Sequence, residues 1–117
     1  SKNTKPEIKV RKILHSMGYR FRLHSKDLPG SPDIVLPKYK TVIFVHGCFW
    51  HRHENCKYAS TPKTRKEFWN KKFTANIKRD SEIQEKIKNL NWRSVVIWEC
   101  ETKNIDNLRD RIVNIFS

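Results

Sequence analysis

The amino-acid sequence predicts an α/β fold, a single-domain α/β/α sandwich around a mixed β-sheet that takes up residues 1–117. Apolar residues recur with helical spacing in some segments and with strand spacing in others, and the predicted elements follow in the order α-β-β-β-α-β-α. A chain of 117 residues with 37% hydrophobic content is also long enough to bury one core without cross-links. We therefore expect one compact domain.

The first half of the chain is predicted to form one helix and three strands. Residues 4–7 form a capping box, and apolar residues at helical spacing follow until Gly18, which is expected to end the helix. Residues 19–24 alternate between apolar and basic side chains, as in a half-buried strand. Residues 33–36 and 41–45 are predicted to form the two strands of a central hairpin.

The second half begins with an irregular loop over residues 47–63, which has too few apolar residues to hold itself together. A second capping box at residues 64–67 is expected to open a long basic helix that reaches about Leu90. Residues 92–100 then read as a strand and residues 105–116 as a closing helix. The inner side of the long helix is expected to carry Phe73, Ile77, Ile83, Ile87 and Leu90.

The formal net charge of +13 is concentrated in the first two thirds of the chain. Residues 1–80 contain 19 Lys and Arg against 6 Asp and Glu, whereas residues 81–117 contain 6 of each group. A basic surface of this density attracts polyphosphates, because each neutralised phosphate releases condensed counterions. The charge therefore indicates a nucleic-acid partner, and the alternative is a basic surface that serves only solubility.

The sequence has no long apolar segment and no signal-type hydrophobic region, so a membrane partner is not expected. Three cysteines form an odd number, and a chain without an export signal rarely builds a disulfide framework. We therefore expect a cytoplasmic, nucleoid-associated protein whose cysteines serve metal or thiol chemistry.

Metal-binding residue types are concentrated in residues 46–56, which contain three histidines and two cysteines. Zinc prefers four tetrahedral thiolate and imidazole ligands, often two nearby residues joined by two more distant ones. His51 is an alternative to His53 as the imidazole ligand, and in the other interpretation the cysteines are ordinary buried or free thiols. The predicted structural zinc ligands are Cys48, His53, Cys56 and Cys100.

A second group of residues joins Asp33, after Pro32 at the start of one predicted strand, with His46 at the end of the next. A nuclease that works by water attack needs a carboxylate that holds Mg²⁺ and a base near the water. The spacing is similar to that of the metal-dependent nucleases whose signature is Pro-Asp followed by (Asp/Glu)-x-Lys, but residues 44–46 lack the second carboxylate and the lysine. The alternative is that Asp33 is only a turn residue.

Several sequence runs, in order along nearly the whole chain, resemble the very-short-patch repair (Vsr) DNA mismatch endonucleases. The central run is His-Gly-Cys-Phe-Trp-His at residues 46–51. The resemblance implies a restriction-endonuclease-like fold of the PD-(D/E)xK type with a zinc-tied loop. It also implies a bacterial-type enzyme that uses Mg²⁺ and nicks double-stranded DNA on the 5′ side of the thymine in a T:G mismatch, the product of 5-methylcytosine deamination. The other matching runs are residues 5–7, 27–35, 62–65, 67–69, 76, 79–80 and 98–100.

The resemblance also implies roles for individual residues. Asp33 and the backbone carbonyl of Val45 would hold Mg²⁺, whose octahedral shell water and phosphate oxygens complete. His46 and His51 match the catalytic histidines, and we expect His51 to transfer a proton and His46 to activate or position the water. Glu7 matches a residue that organises water or the histidine pair, although it is also the third residue of a capping box.

DNA contacts are implied on the loop and on the long helix. Phe49, Trp50 and Trp69 match an intercalating wedge, which costs least at a mismatched step because that step is already poorly stacked. Trp69 could instead only pack the helix, and Trp92 and Trp98 are expected in the core. Asn76 is a candidate for a more specific contact. The expected phosphate contacts are Lys63, Arg65, Lys66, Lys71, Lys72, Lys78 and Arg79.

The family's additional basic N-terminal segment is expected to be missing or trimmed. The expected partners are double-stranded DNA with a T:G mismatch and other mismatch-repair proteins, and we expect a monomer. Two other interpretations are a non-catalytic, zinc-stabilised DNA-binding module and a restriction or homing endonuclease on the same core. The first would not need Asp33, His46 and His51 together, and the second would need a further specificity domain.

Overall fold

A computed structural model describes residues 2–117 of the protein. Three α-helices flank one four-stranded β-sheet in this part of the chain, with two short 3₁₀-helices at Pro37–Tyr39 and Glu99–Thr102. None of the helices within residues 2–117 is both long and apolar enough to cross a membrane. The main elements are α1 (Lys5–Ser16), β1 (Arg22–Leu23), β2 (Ile34–Leu36), β3 (Thr41–His46), α2 (Lys66–Asn89), β4 (Arg93–Trp98) and α3 (Ile105–Ile115).

The four strands form a mixed sheet, as predicted, and their order in it is β1-β2-β3-β4. β1 pairs with β2 and β2 with β3 in antiparallel fashion, whereas β3 and β4 are parallel. The parallel pair places His46 directly opposite Trp98. Because parallel strands end at the same edge of the sheet, the segments that follow β3 and β4 are brought together there.

Helices cover both faces of the sheet, which confirms the predicted α/β/α sandwich. On one face, the buried side chains of Ile34, Ile43 and Ile97 pack with α1 and α3. On the other face, Val42 and Phe44 pack with Ile87 of α2. Successive residues of a strand point to opposite faces, so the apolar runs of β2 and β3 are buried on both sides.

The prediction of which residues face inward on α2 is only partly correct. Phe73 and Ile87 are buried and Ile83 packs against the core, but Ile77 and Leu90 are each 51% exposed. Ile77 faces a cleft that it shares with the loop after β3. Leu90 follows the last helical residue, where the helical spacing no longer applies.

The predicted starts of two elements are also corrected. No capping box opens α2, because the residue before it, Arg65, is left-handed at φ 53° and caps the helix with no side-chain hydrogen bond. The predicted strand at residues 19–24 shortens to β1, in which Leu23 is 38% exposed. β1 lies at the edge of the sheet, and His24 at φ 49° ends its extended backbone.

Candidate active site

A cleft of about 420 Å³ opens where β3 ends beside the start of β2. Its walls bring together residues that are far apart in the sequence, because antiparallel pairing of β2 with β3 places the first residues of one strand beside the last residues of the other. Three basic residues, Lys2, Lys26 and Arg79, also reach the cleft, so its rim attracts anions. The predicted residues that line it are Asp33, Val45, His46 and His51.

The Asp33 carboxylate is held at the start of β2. Its Oδ2 atom accepts a hydrogen bond of 2.7 Å from the backbone N–H of Val45. Burial raises the pKa of Asp33 above its usual value, against the opposing effect of this hydrogen bond, and the nearby Glu7 carboxylate raises it further. A cation in the cleft would offset this unfavourable concentration of negative charge.

Glu7 of α1 lies next to two residues that line the cleft, His24 and Asp33. Only one half of the predicted capping box of α1 forms: Thr4 Oγ1 accepts a bond from the backbone N–H of Glu7, whereas the Glu7 carboxylate binds Arg11 and His24. The Glu7 carboxylate is 1% exposed and binds Arg11 Nη1 and His24 Nε2, each at 2.8 Å. One ligand atom each from Glu7, His24 and Asp33 lies within 4.8 Å of the others. Glu7 therefore supports residues of the cleft in addition to its place in the first turn of the helix.

The two predicted histidines form a stacked pair. The ring centroids of His46 and His51 lie 3.7 Å apart, and the ring planes differ by 7°. His46 is buried, and burial together with the positive charge of His51 lowers the pKa of His46 to about 4. A histidine with that pKa is neutral near pH 7, so one of its ring nitrogens is able to accept a proton.

His51 is fixed in orientation by α2. Its Nδ1 atom lies 2.6 Å from Oδ2 of Asp80, and both side chains are partly buried. An ionised carboxylate only accepts hydrogen bonds, so the proton of this contact resides on Nδ1. Nε2 is then left as the nitrogen that can exchange a proton with a bound substrate, and the carboxylate stabilises the imidazolium.

The predicted zinc ligands converge on the other side of the loop. One ligand atom each from Cys48, His53, Cys56 and Cys100 lies within 4.8 Å of the others, and Cys100 Sγ is 3.4 Å from His53 Nδ1. A tetrahedron with ligands about 2.1–2.3 Å from zinc has edges of roughly 3.4–3.8 Å, so the donor set fits a structural metal. Burial raises the pKa of the Cys48 thiol to about 12, a cost that a bound cation removes. His51 belongs to a separate group with His46 and Asp80, so His53 is the imidazole in this cluster.

The aromatic residues of the loop and α2 form one surface cluster. Phe49 contacts Trp50, Trp69 and Phe73 at centroid distances of 5.2 to 5.7 Å. Trp50 and Trp69 are 5.7 Å apart, and Trp50 is 49% exposed. Phe73 is buried, so the cluster has a fixed base and an exposed edge. Hereafter, the aromatic cluster denotes Phe49, Trp50, Trp69 and Phe73.

The other predicted DNA-contact and tryptophan residues differ in their positions. Asn76 Nδ2 donates to the backbone oxygen of Trp50 at 3.2 Å, so Asn76 supports the aromatic cluster as well as facing solvent. Trp98, expected in the core, is only half-buried and stacks on His53 at 4.2 Å. Trp92 is half-buried against the core below α2. The predicted phosphate-binding side chains are all exposed: Lys63, Arg65, Lys66, Lys71, Lys72, Lys78 and Arg79.

Comparison with known proteins shows the family to which the chain belongs. A sequence model of the DNA mismatch endonuclease Vsr family matches residues 1–57. The chain is 50% identical over 115 residues to the type II nicking enzyme V.XorIIP of Xanthomonas oryzae pv. oryzae, covering 98% of this chain and 84% of that protein. It is 38% identical over 110 residues to the DNA mismatch endonuclease Vsr of Escherichia coli, covering 94% of this chain and 70% of that protein. The chain belongs to the Vsr family.

Membership in the Vsr family confirms the predicted DNA endonuclease activity and the restriction-endonuclease-like fold. The V.NmeAIP nicking enzyme of Neisseria meningitidis is similar as well, with 46% identity over 96% of this chain and 79% of that protein. The interpretation as a non-catalytic DNA-binding module is therefore wrong. DNA is the substrate, and the Cys/His cluster is a site that could bind a metal.

Sequence reasoning on this Vsr-family chain did not assign two residues of the cleft, Asp80 and His24. Asp80 carried a detectable signal, because it lies seven residues after Phe73 and seven before Ile87 on the apolar side of α2. A carboxylate on that side requires a partner. His24 carried no comparable local signal, since its contact with Glu7 joins residues 17 positions apart.

Proposed function

We propose that this enzyme nicks double-stranded DNA on the 5′ side of the thymine of a T:G mismatch in a reaction that depends on Mg²⁺. The main supporting observation is the cleft in which the Asp33 carboxylate and the stacked pair of His46 and His51 converge. The family description names a DNA mismatch endonuclease, and several relatives are named nicking enzymes, which supports cutting of one strand. Residues 1–117 act in this proposal as a single domain and as a monomer, in a bacterial-type cytoplasm.

Asp33 and the backbone carbonyl of Val45 would hold Mg²⁺. Both residues line the cleft, and oxygen is the ligand atom that this ion prefers. When bound, Mg²⁺ neutralises charge that develops on the scissile phosphate and helps to orient it. The raised pKa of Asp33 fits this assignment, because burial and the nearby Glu7 carboxylate disfavour its negative charge, and a bound cation would offset both effects.

His46 and His51 would carry the proton transfers of the hydrolysis. Neutral His46 accepts or orients the proton of the attacking water, whose oxygen forms the new bond to phosphorus. His51, supported by Asp80, donates a proton from Nε2 to the departing 3′ oxygen as the old P–O bond breaks. The products are a 3′ hydroxyl and a 5′ phosphate. Glu7, held by Arg11 and His24, would orient water in the cleft or the histidine pair.

The remaining sites would bind and select the DNA. Zinc held by the four Cys/His ligands would fix the loop, since structural zinc contributes folding energy directly. The exposed edge of the aromatic cluster would insert beside the mismatch, where the native stack is weak. The basic side chains of α2 and of the segment before it would contact phosphates, and Asn76 could add a more specific contact.

Single-turnover nicking on a panel of duplexes tests this function. The panel contains T:G, T:A and C:G pairs in varied and hemimethylated contexts, with Mg²⁺ or with EDTA, and a sequencing gel locates the cut. With Mg²⁺, we expect a single cut 5′ of the thymine in T:G duplexes and a much slower rate of nicking in matched duplexes. The Asp33→Asn protein serves as the control for contaminating nucleases. Cleavage of both strands of a matched duplex would instead support a restriction-type enzyme, and activity in EDTA would exclude the Mg²⁺ assignment.

A further inference from the structure

Arg52 is the most heavily bonded side chain of the loop after β3. Its Nη1 atom donates to the backbone oxygens of Phe49 and Ser60 at 3.2 and 3.1 Å. Its Nη2 atom donates to the backbone oxygen of Ala59 at 3.0 Å and to Oγ1 of Thr61 at 3.2 Å. One guanidinium group thus joins Phe49, near the start of the loop, to residues 59–61 near its end. The last residue of the loop that belongs to the Cys/His cluster is Cys56.

The same guanidinium group packs against the aromatic cluster. Its Cζ atom lies 4.0 Å from the ring centroid of Phe73 and 5.5 Å from that of Phe49. A planar cation over an aromatic face is attracted by the negative face of the ring, and Arg uses its hydrogen bonds in the ring plane at the same time. Arg52 therefore holds the buried base of the cluster and the backbone of Phe49 in one arrangement.

The backbone of Arg52 indicates that this arrangement is imposed. Its φ of 54° lies in the left-handed region, which is unfavourable for a residue with a Cβ atom. Such a conformation persists when the surrounding contacts outweigh its cost, and it is frequent at functional sites. The contacts that hold Arg52 are the four hydrogen bonds of its side chain and a backbone hydrogen bond of 3.4 Å from its N–H to the oxygen of Phe49.

We propose that Arg52 is a positioning residue that preorganises the aromatic cluster for insertion at a mismatched base step. An exposed Trp50 without this support would sample other orientations, and ordering it on DNA would consume binding free energy. The inference rests on the proposed mismatch nicking and extends it, because the hydrogen bonds of the Arg52 side chain go to Phe49 and to residues 59–61, and none goes to Asp33, His46 or His51. Its loss should therefore reduce mismatch selection more than the chemistry.

Two substitutions test this role, with one control. Arg52→Met keeps an unbranched side chain but removes the positive charge. Arg52→Lys keeps the charge but removes the planar guanidinium group. Arg109→Met is the matched control, because it removes one arginine charge from the exposed face of α3. If one variant does not fold, the other still tests the role. Melting temperatures report on folding for each protein.

The readouts are single-turnover nicking of T:G and matched duplexes, and 2-aminopurine fluorescence beside the mismatch in EDTA, which reports on unstacking. In both Arg52 variants we expect the preference for T:G to fall by about 5- to 150-fold, the equivalent of one stacked ring. The fluorescence rise seen with the unchanged protein should shrink. The Arg109→Met protein should match the unchanged protein in both readouts.

Three results would overturn the inference, and they differ from failure of the proposed function. The first is an unchanged T:G preference and fluorescence rise in both Arg52 variants. The second is an equal loss of nicking on T:G and matched duplexes together with a lower melting temperature, which is what a merely structural role predicts. The third is full recovery by Arg52→Lys, since charge alone would then suffice. If the unchanged protein itself has no T:G preference, the proposed function fails instead.

Discussion

Replacement of Asp80 by Asn is expected to slow nicking without disturbing the fold. Asn has nearly the same shape as Asp and still offers an oxygen to the Nδ1–H of His51, but it lacks the negative charge that stabilises the imidazolium. The Asn amide group could also turn its N–H₂ toward His51 and favour the other tautomer. Either outcome makes His51 a poorer donor to the departing 3′ oxygen.

The size of the effect follows from the geometry of the contact. A positioned general acid or base contributes about 10²–10⁴-fold to the rate. The His51 and Asp80 side chains are 30% and 18% exposed, so water partly replaces the lost carboxylate. The effect should therefore lie at the lower end of this range of rate contributions. We expect the nicking rate to fall by about 10²-fold, equivalent to about 2.7 kcal/mol of activation free energy. The free energy of unfolding should change by about 1 kcal/mol or less.

The assay is single-turnover nicking of a T:G duplex, with chemical denaturation as the measure of stability. Asp110→Asn is the control, because Asp110 is an exposed carboxylate on α3. A cycle with His51→Ala adds a sharper test: if Asp80 acts through His51, the double variant should be no slower than His51→Ala alone. Independent, multiplicative losses, or a normal rate for Asp80→Asn, would refute the assignment.

The remaining predictions concern the two metal sites and the turn before β2. Asp33→Asn keeps an acceptor for the Val45 N–H but loses the negative charge that is proposed to hold Mg²⁺. Gel shifts should therefore show normal DNA binding, while the nicking rate falls by at least about 10²-fold. A normal nicking rate would exclude the assignment. Cys100→Ser should reduce the zinc content measured by elemental analysis and lower the melting temperature, whereas unchanged melting would mean that the cysteines are ordinary thiols. Gly30→Ala should destabilise the fold by about 1–3 kcal/mol in denaturant titrations, because the new Cβ would lie 2.5 Å from Ile83 Cγ2 at a φ of 77°; an unchanged midpoint would contradict this.

The sheet could be predicted because its signals are local. β2 and β3 are short apolar runs that are buried on both faces, so their composition is sufficient without knowledge of their partners. The final helix was predicted for a similar reason, since Leu108, Ile112 and Ile115 recur at helical spacing and are all buried. The start of α2 could not be predicted, because Thr64 and Glu67 fit a capping box in the sequence but the left-handed Arg65 separates Thr64 from the helix.

The candidate site was only partly predictable, for a different reason. Residues whose chemistry is rare, such as Asp33 after a proline or the histidines beside cysteines, stand out in the sequence. Residues that support them do not. Arg52 reads as one more basic residue in a basic loop, and its bonds to residues 59–61 depend on how the loop closes. Supporting contacts of this kind arise from tertiary structure and have no sequence periodicity.

The last residue of β3 and the short segment after it contribute to three sites, and this explains the density of unusual residues at residues 46–56. His46 and His51 face the cleft, Cys48 and His53 face the metal cluster, and Trp50 faces solvent. Trp98 joins two of these sites, since its ring stacks on His53 at 4.2 Å and meets His46 edge-on at 5.3 Å. Side chains in direct contact transmit a displacement from one to the next. A disturbance of the metal cluster should therefore reach the histidine pair through Trp98, although neither histidine of the pair belongs to that cluster.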